Sequence, residues 1–204
     1  MNPILSATAI VLVVVAGFTS LWLGTDRWAA WTAESARRLD VLQTPRMLPN
    51  IELINASGDT VSLRGGTKAL QIIDFIYTQC PTICLAMGAE FRTLQTDIVS
   101  QRLAGGVELL SITFDLVNDD VPALSDYLNR FSAERSIWQA ARVVRADELP
   151  PLLRQLGVIA LPEPTLGFVH NAALYLVDDG QVVEIFDVGD RNQIIQAVQW
   201  RLRN

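Results

Sequence analysis

Residues 69–77 (ALQIIDFIY) constrain the fold more than any other part of the chain. The run is short, apolar almost throughout, and bounded by Gly65-Gly66 on one side and Cys80-Pro81 on the other. Such a run, without alternation, fits a central strand of a sheet covered on both faces. After Pro81 the apolar residues change spacing: Leu85, Phe91, Leu94 and Ile98 recur with a helical period until Gly105-Gly106. Residues 107–113 (VELLSIT) form a second buried-strand candidate. Helices are expected over residues 121–131 and 147–156, the latter with Pro150-Pro151 in its first turn. Two hairpins frame this core. One joins residues 51–54 to 61–63 through Asn55-Ala56-Ser57-Gly58-Asp59. The other joins residues 172–177 to 182–186 through Asp178-Asp179-Gly180-Gln181, a turn that suits positive φ at Gly180. Residues 190–203 close with an amphipathic helix. The order predicts an α/β domain with a mixed sheet flanked by helices.

The N-terminus poses a separate problem. No charged side chain occurs in residues 1–25, and residues 4–23 read ILSATAIVLVVVAGFTSLWL. About twenty helical residues rise about 30 Å, the thickness of a bilayer core. Trp22, Trp28 and Trp31 cluster at the far end, where aromatic rings favour the membrane–water boundary. A cleaved signal peptide fits poorly, because no basic side chain precedes the span and Trp28-Ala29-Ala30 is a poor cleavage site. The expected organisation is a transmembrane anchor over residues 1–25, a juxtamembrane helix and linker over 26–48, and the folded domain over 49–204. Arg27, Arg37 and Arg38 follow the span, so the positive-inside rule alone would place the domain in the cytoplasm.

Composition narrows the function. Half of the 204 residues are hydrophobic, too many for a disordered chain. Net charge is −6 and no Lys/Arg run stands out, which removes the electrostatic footprint of a nucleic-acid binder. With two cysteines and one histidine, neither a multi-bridge disulfide scaffold nor a four-ligand Cys/His zinc site can be built within one chain.

The chemistry concentrates at Tyr77-Thr78-Gln79-Cys80-Pro81-Thr82-Ile83-Cys84, where the first buried strand gives way to a helix. Proline suits the first helical position, which puts Cys80 at or near the N-cap, where free amides and the helix dipole stabilise a thiolate. Cys84 follows one turn later on the same face. Two thiols at that spacing either form a disulfide or bracket one soft metal ion. His170 is the only imidazole and is expected in a loop just before the strand at 172–177. That strand can lie beside the carboxyl end of the first one, where α/β sheets place their sites. Two thiolates and an imidazole form a soft, low-coordinate set suited to copper, as Cu(I) or Cu(II). Asp119 or Asp120 is expected to cap the helix after the second strand. Asp115 and Asp119 are candidates to orient the metal ligands from behind. Met87 is expected in the core.

These residues resemble the Sco/SenC family of membrane-anchored copper proteins. Three blocks carry the likeness, in order: the strand with Cys80-Pro81-x-x-Cys84; Ser111 to Asp119 (SITFDLVND); and His170 ahead of Tyr175-Leu176-Val177-Asp178 and its Gly180 turn. The resemblance covers roughly residues 49–204 and implies a thioredoxin-like fold. It implies Cys80, Cys84 and His170 as copper ligands and service to the copper centre of cytochrome c oxidase, as copper donor or thiol reductant. The implied partner is the copper-bearing oxidase subunit or another copper chaperone. The implied topology is a single-pass inner-membrane protein with its domain in the periplasm, or in the intermembrane space of a mitochondrion. Leu85 stands where the family often has Pro, Leu116-Val117 where it has Pro-Glu, and Val169 where it commonly has Asp; none of these is a ligand. The rival reading is a membrane-tethered thiol–disulfide oxidoreductase in which Cys80 attacks and Cys84 resolves. A peroxidase would need an arginine near Cys80, and Arg92 is the nearest candidate in sequence.

Overall fold

The computed structural model describes residues 3–25, 32–79, 83–163 and 167–204, with side chains for all of these except residues 3–9, 83 and 84. The chain divides into two units, Met1–Thr44 and Pro45–Asn204. The first unit holds α1 (Pro3–Gly24) and α2 (Ala33–Gln43). The predicted span falls within α1, a helix of 22 residues. Its Thr19 and Thr25 hydroxyls donate to the carbonyls of Val15 and Leu21, so these polar groups are satisfied inside the helix or at its end. Side chains of α1 are described from Ile10 onward, and among the described residues no helix is long and apolar enough to cross a membrane. Arg27, Trp28 and Trp31 lie outside the described residues. The helix expected next begins at Ala33, where Thr32 and Ser35 form a reciprocal capping box.

The second unit begins with β1 (Arg46–Met47), β2 (Glu52–Asn55) and β3 (Thr60–Ser62). Then come β4 (Leu70–Ile76), α3 (Ile83–Ser100), β5 (Val107–Thr113), α4 (Val121–Arg130) and β6 (Trp138–Val143). A 3-10 turn (Ala146–Glu148) leads into α5 (Leu149–Leu156), followed by β7 (Ala160–Glu163), β8 (Gly167–His170), β9 (Leu174–Asp178), β10 (Gln181–Phe186) and α6 (Arg191–Arg201). Eight strands form one mixed sheet in the order β1-β10-β9-β4-β5-β6-β2-β3, and β7 and β8 form a separate ribbon. β4 and β5 run parallel at the centre, in register from Leu70↔Val107 to Ile76↔Thr113, and every residue of both is buried.

Their continuous apolarity has a direct cause: both faces of the sheet are covered. On one face, the Trp138 indole donates to Ser111 and packs against Phe91 of α3 and Tyr127 of α4. On the other, Phe75 meets Tyr175 edge to face, and the Tyr175 hydroxyl donates to the Leu156 carbonyl at the end of α5. The turn between β9 and β10 has Asp179 at φ 47° and Gly180 at φ 70°, the positive pair that a tight hairpin needs.

The structure departs from the sequence reading at several points, among them short strands β1 and β7 where none was expected. The helix expected from Asp147 begins as the 3-10 turn, and the α-helix proper starts at Leu149, with the two prolines directly behind it. β6 was not anticipated, because Gln139 and Arg142 interrupt its apolar run. His170 is not in a loop: it ends β8, opposite Ala160 of β7.

Candidate metal centre

β4 ends at Ile76 and α3 begins at Ile83. Cys80, Pro81 and Thr82 lie outside the described residues, and Cys84 is described only as the second residue of α3. The predicted N-cap position of Cys80 therefore also lies outside them. What is described is the frame on either side.

One side of the frame is Thr78, two residues before Cys80. Its amide donates to Asp119 Oδ2 at 2.9 Å and its hydroxyl to Asp119 Oδ1 at 2.6 Å. The Thr113 hydroxyl also donates to Oδ2. Arg130 donates to the Thr78 carbonyl at 3.3 Å. The loop that supplies Asp119 is itself pinned, because Arg142 donates to the carbonyls of Asp119 and Leu116, each at 3.0 Å. Asp119 is 0% exposed. Burial pushes its carboxyl above the ordinary value, and the donating hydroxyls and amide offset part of that. The helix cap falls to Asp120, which accepts from the Ala123 amide at 2.9 Å, and this leaves Asp119 to the interior. The Asp115 carboxylate accepts from the Asn118 amide and side chain and so closes its own turn.

The other side of the frame is aromatic. His170 packs against Tyr77 (ring centroids 5.9 Å apart) and Phe114 (5.1 Å), and Phe168 joins the same cluster. Tyr77 precedes Cys80 by three residues, so the only imidazole is seated on the segment that delivers the first cysteine. The carbonyl of Asn171, 3.0 Å from Nδ1, can only accept, so Nδ1 carries the proton. The remaining lone pair is on Nε2, as in metal-ligating histidines whose other nitrogen donates to a carbonyl. Burial lowers the His170 pKa, partly offset by Asn171, and this favours the neutral form that binds metals.

Among the described residues no three His, Cys, Asp or Glu side chains stand together as a metal site. Met87 is fully buried in α3, as expected of a core residue. Arg92 is exposed, and the arginine that reaches the loop before Cys80 is Arg130. Sequence reasoning missed Arg130, Arg142, Thr78 and the ring cluster, whose contacts join segments far apart in the chain. Of the positions that depart from the family pattern, Leu85, Val117 and Val169 face solvent, Val117 at 92% exposure, and Leu116 is half-buried.

The profile of the SCO1/SenC family matches residues 40–203. A SCO1 protein homologue of Bacillus subtilis (strain 168) is 25% identical over 136 residues, covering 65% of this chain and 69% of its own. Among solved structures, BsSco, a member of the Sco family of cytochrome c oxidase assembly proteins in which a disulfide switch was identified, superposes with a TM-score of 0.66 at 24% identity, over 76% of this chain and 93% of its own. Arabidopsis thaliana ScoI with copper bound superposes with a TM-score of 0.64 at 18% identity, over 76% and 99%. The mixed sheet with helices on both faces is thus the thioredoxin-like fold of those structures. With fold, motif order and profile in agreement, the chain belongs to the SCO1/SenC family.

Proposed function

We propose that this protein is a copper-binding assembly factor for the copper centre of cytochrome c oxidase, holding Cu(I) or Cu(II) between Cys80, Cys84 and His170. The observation that carries the reading is the seating of His170: Nδ1 is tied to Asn171, and the ring lies against Tyr77, three residues before Cys80. The donor set fits the ion, because thiolates and a neutral imidazole are soft ligands and too few to close a structural zinc site. When bound, the ion is the cargo passed to a partner's ligands. This chain's own task is to keep the imidazole neutral and oriented, and Asp119 and Arg130 hold the strand end at Thr78. The partner would be the copper-bearing oxidase subunit or another copper chaperone. BsSco and copper-bound ScoI support both assignments by family membership.

We further propose that α1 is a single inner-membrane span with the domain on the periplasmic side, or in the intermembrane space of a mitochondrion. Support comes from its 22-residue length, its lack of charged residues and its internally satisfied hydroxyls. The cytosol would keep the two thiols reduced, whereas an oxidising compartment lets the pair act in both redox states.

The test is an anaerobic copper titration of the reduced protein beside His170→Ala. Saturation at one copper per chain with a strong thiolate-to-Cu(II) absorption band, lost in the variant, is expected. Binding indifferent to His170, or no binding, refutes the three-ligand site and leaves a dithiol oxidoreductase.

A further inference from the structure

β4 stands near the middle of the sheet and β3 at its edge, with β5, β6 and β2 between them. The connection from β3 to β4 therefore has to cross three strands. One residue fastens it on the way. The Thr67 amide donates to both oxygens of Glu108, at 3.1 and 3.3 Å, and the Thr67 hydroxyl also donates to Oε2. Gln71, paired with Glu108 across β4 and β5, donates to Oε1 at 2.7 Å. Gly66 lets the backbone come this close, since a Cβ there would run into both side chains.

Beside the fastened segment lies a cavity of about 370 Å³. Its size and make-up are those of a small-molecule site, an apolar wall with a few polar groups. Val61 of β3, Leu109 and Leu110 of β5, and Ile137 ahead of β6 supply the apolar wall. The cavity lies at the starting end of β4 and β5, whereas Cys80 follows the far end of β4, so the candidate metal centre takes no part in it.

The charge on the walls is uneven. Among the described residues that line the cavity, Glu108 is the one acid, and Lys68 and Arg135 are the cations. Glu108 is 8% exposed, and its oxygens are taken up by Thr67 and Gln71. Arg135 gives its Nη2 to Ser125 and Asn129 on the neighbouring helix α4. Lys68 is half-buried and has no hydrogen-bond or ion-pair partner among the described residues. A half-buried ammonium beside an aliphatic wall is completed by an anion, and one with a hydrocarbon body satisfies both surfaces.

We propose that this cavity is a binding site for a small organic anion, whose apolar body lies against Val61, Leu110 and Ile137 and whose carboxylate meets Lys68. Arg135 adds a second positive charge to the walls, and the Thr67–Glu108 anchor holds the segment that carries Lys68 in place. The ligand class is a monocarboxylate with a compact hydrocarbon body.

Isothermal titration of the full chain with 2-naphthoate, and with its neutral counterpart 2-naphthamide, tests this. Saturation at one naphthoate per chain is expected, at least about fivefold tighter than the amide, because only the acid forms a charge-assisted pair. Lys68→Met keeps the length of the side chain and removes its charge, and should bring acid and amide level. Ser136→Trp introduces a large ring on the cavity wall from an exposed position and should weaken both ligands. Binding to α1 or to detergent is indifferent to either substitution. No saturable binding, equal affinity for acid and amide in the wild type, a preference that survives Lys68→Met, or binding unchanged by Ser136→Trp overturns the proposal.

Discussion

Asp74, fully buried in the central strand β4, gives a sharp test of how the core is built when replaced by Asn, read as stability. The side-chain pKa rises from 3.8 to about 7 on folding, chiefly because a fully buried carboxyl loses its hydration. That rise is about three units, and at about 1.4 kcal/mol per unit the linked free energy is about 4 kcal/mol. Below pH 4 both folded and unfolded chains hold the proton and there is no penalty. Between about pH 4 and 7 the unfolded chain gives up its proton while the folded chain keeps it, so stability falls as pH rises; above about 7 the full penalty stands. The amide cannot ionise and removes this slope. The assay is urea denaturation of residues 45–204, a unit with its own core, followed by circular dichroism at about pH 4.5 and about pH 8. The stability of Asp74→Asn relative to wild type should improve by several kcal/mol between the two pH values. His170 and Glu184 also titrate, the first with its pKa lowered and the second with its pKa raised by burial, but both are present in both proteins and cancel in the difference. A difference that stays constant with pH would show that Asp74 is hydrated or paired in the folded chain, and the reasoning from burial would fail.

Other substitutions probe the frame of the candidate centre. Asp119→Ala strands the Thr78 amide and two buried hydroxyls, so a loss of about 3 kcal/mol by urea denaturation is expected, together with weaker copper uptake at Cys80 and Cys84. Arg92→Ala, at an exposed site, should leave stability within about 0.5 kcal/mol of wild type. Gly88→Ala drives a methyl into the Phe131 ring and should cost about 1–3 kcal/mol, measured as a lower urea midpoint at unchanged slope.

The elements legible in the sequence were those whose pattern is local. β4 and β5 declare themselves by unbroken apolarity, and α3 by the switch of period after Pro81. The turn at Asp179-Gly180 announces itself by residue type. What stayed hidden depends on partners distant in the chain. β6 carries Gln139 and Arg142 within its length, and Arg142 is explained only by the carbonyls of Leu116 and Asp119 that it reaches. Asp119 reads as a cap residue from its neighbours, and its true partner, Thr78, lies 41 residues back. β7 contains Pro162 and β8 opens on Gly167, so neither resembles a strand until Phe168 and His170 find Tyr77 and Phe114. The proposed ligand trio follows from chemistry, because the chain offers only two cysteines and one histidine.

The ribbon of β7 and β8 shares no ladder with the eight-stranded sheet. Asn171 stitches its base: the side-chain amide donates to the Gly157 carbonyl, and the side-chain oxygen accepts from Ile159. Phe168 and His170 then lay the ribbon on the rings of Tyr77 and Phe114. Because the ribbon can open without breaking a ladder of the main sheet, it is expected to exchange as a unit of its own. In amide exchange such a chain keeps two clocks: a fast one for the ribbon, set by a local opening, and a slow one for β4 and β5, set by global unfolding. An opening of the ribbon alone would lift the imidazole from Tyr77 and Phe114 while the sheet stays closed, so the histidine's departure would be set by the β7–β8 ladder, the Asn171 bonds and the ring contacts rather than by the stability of the domain.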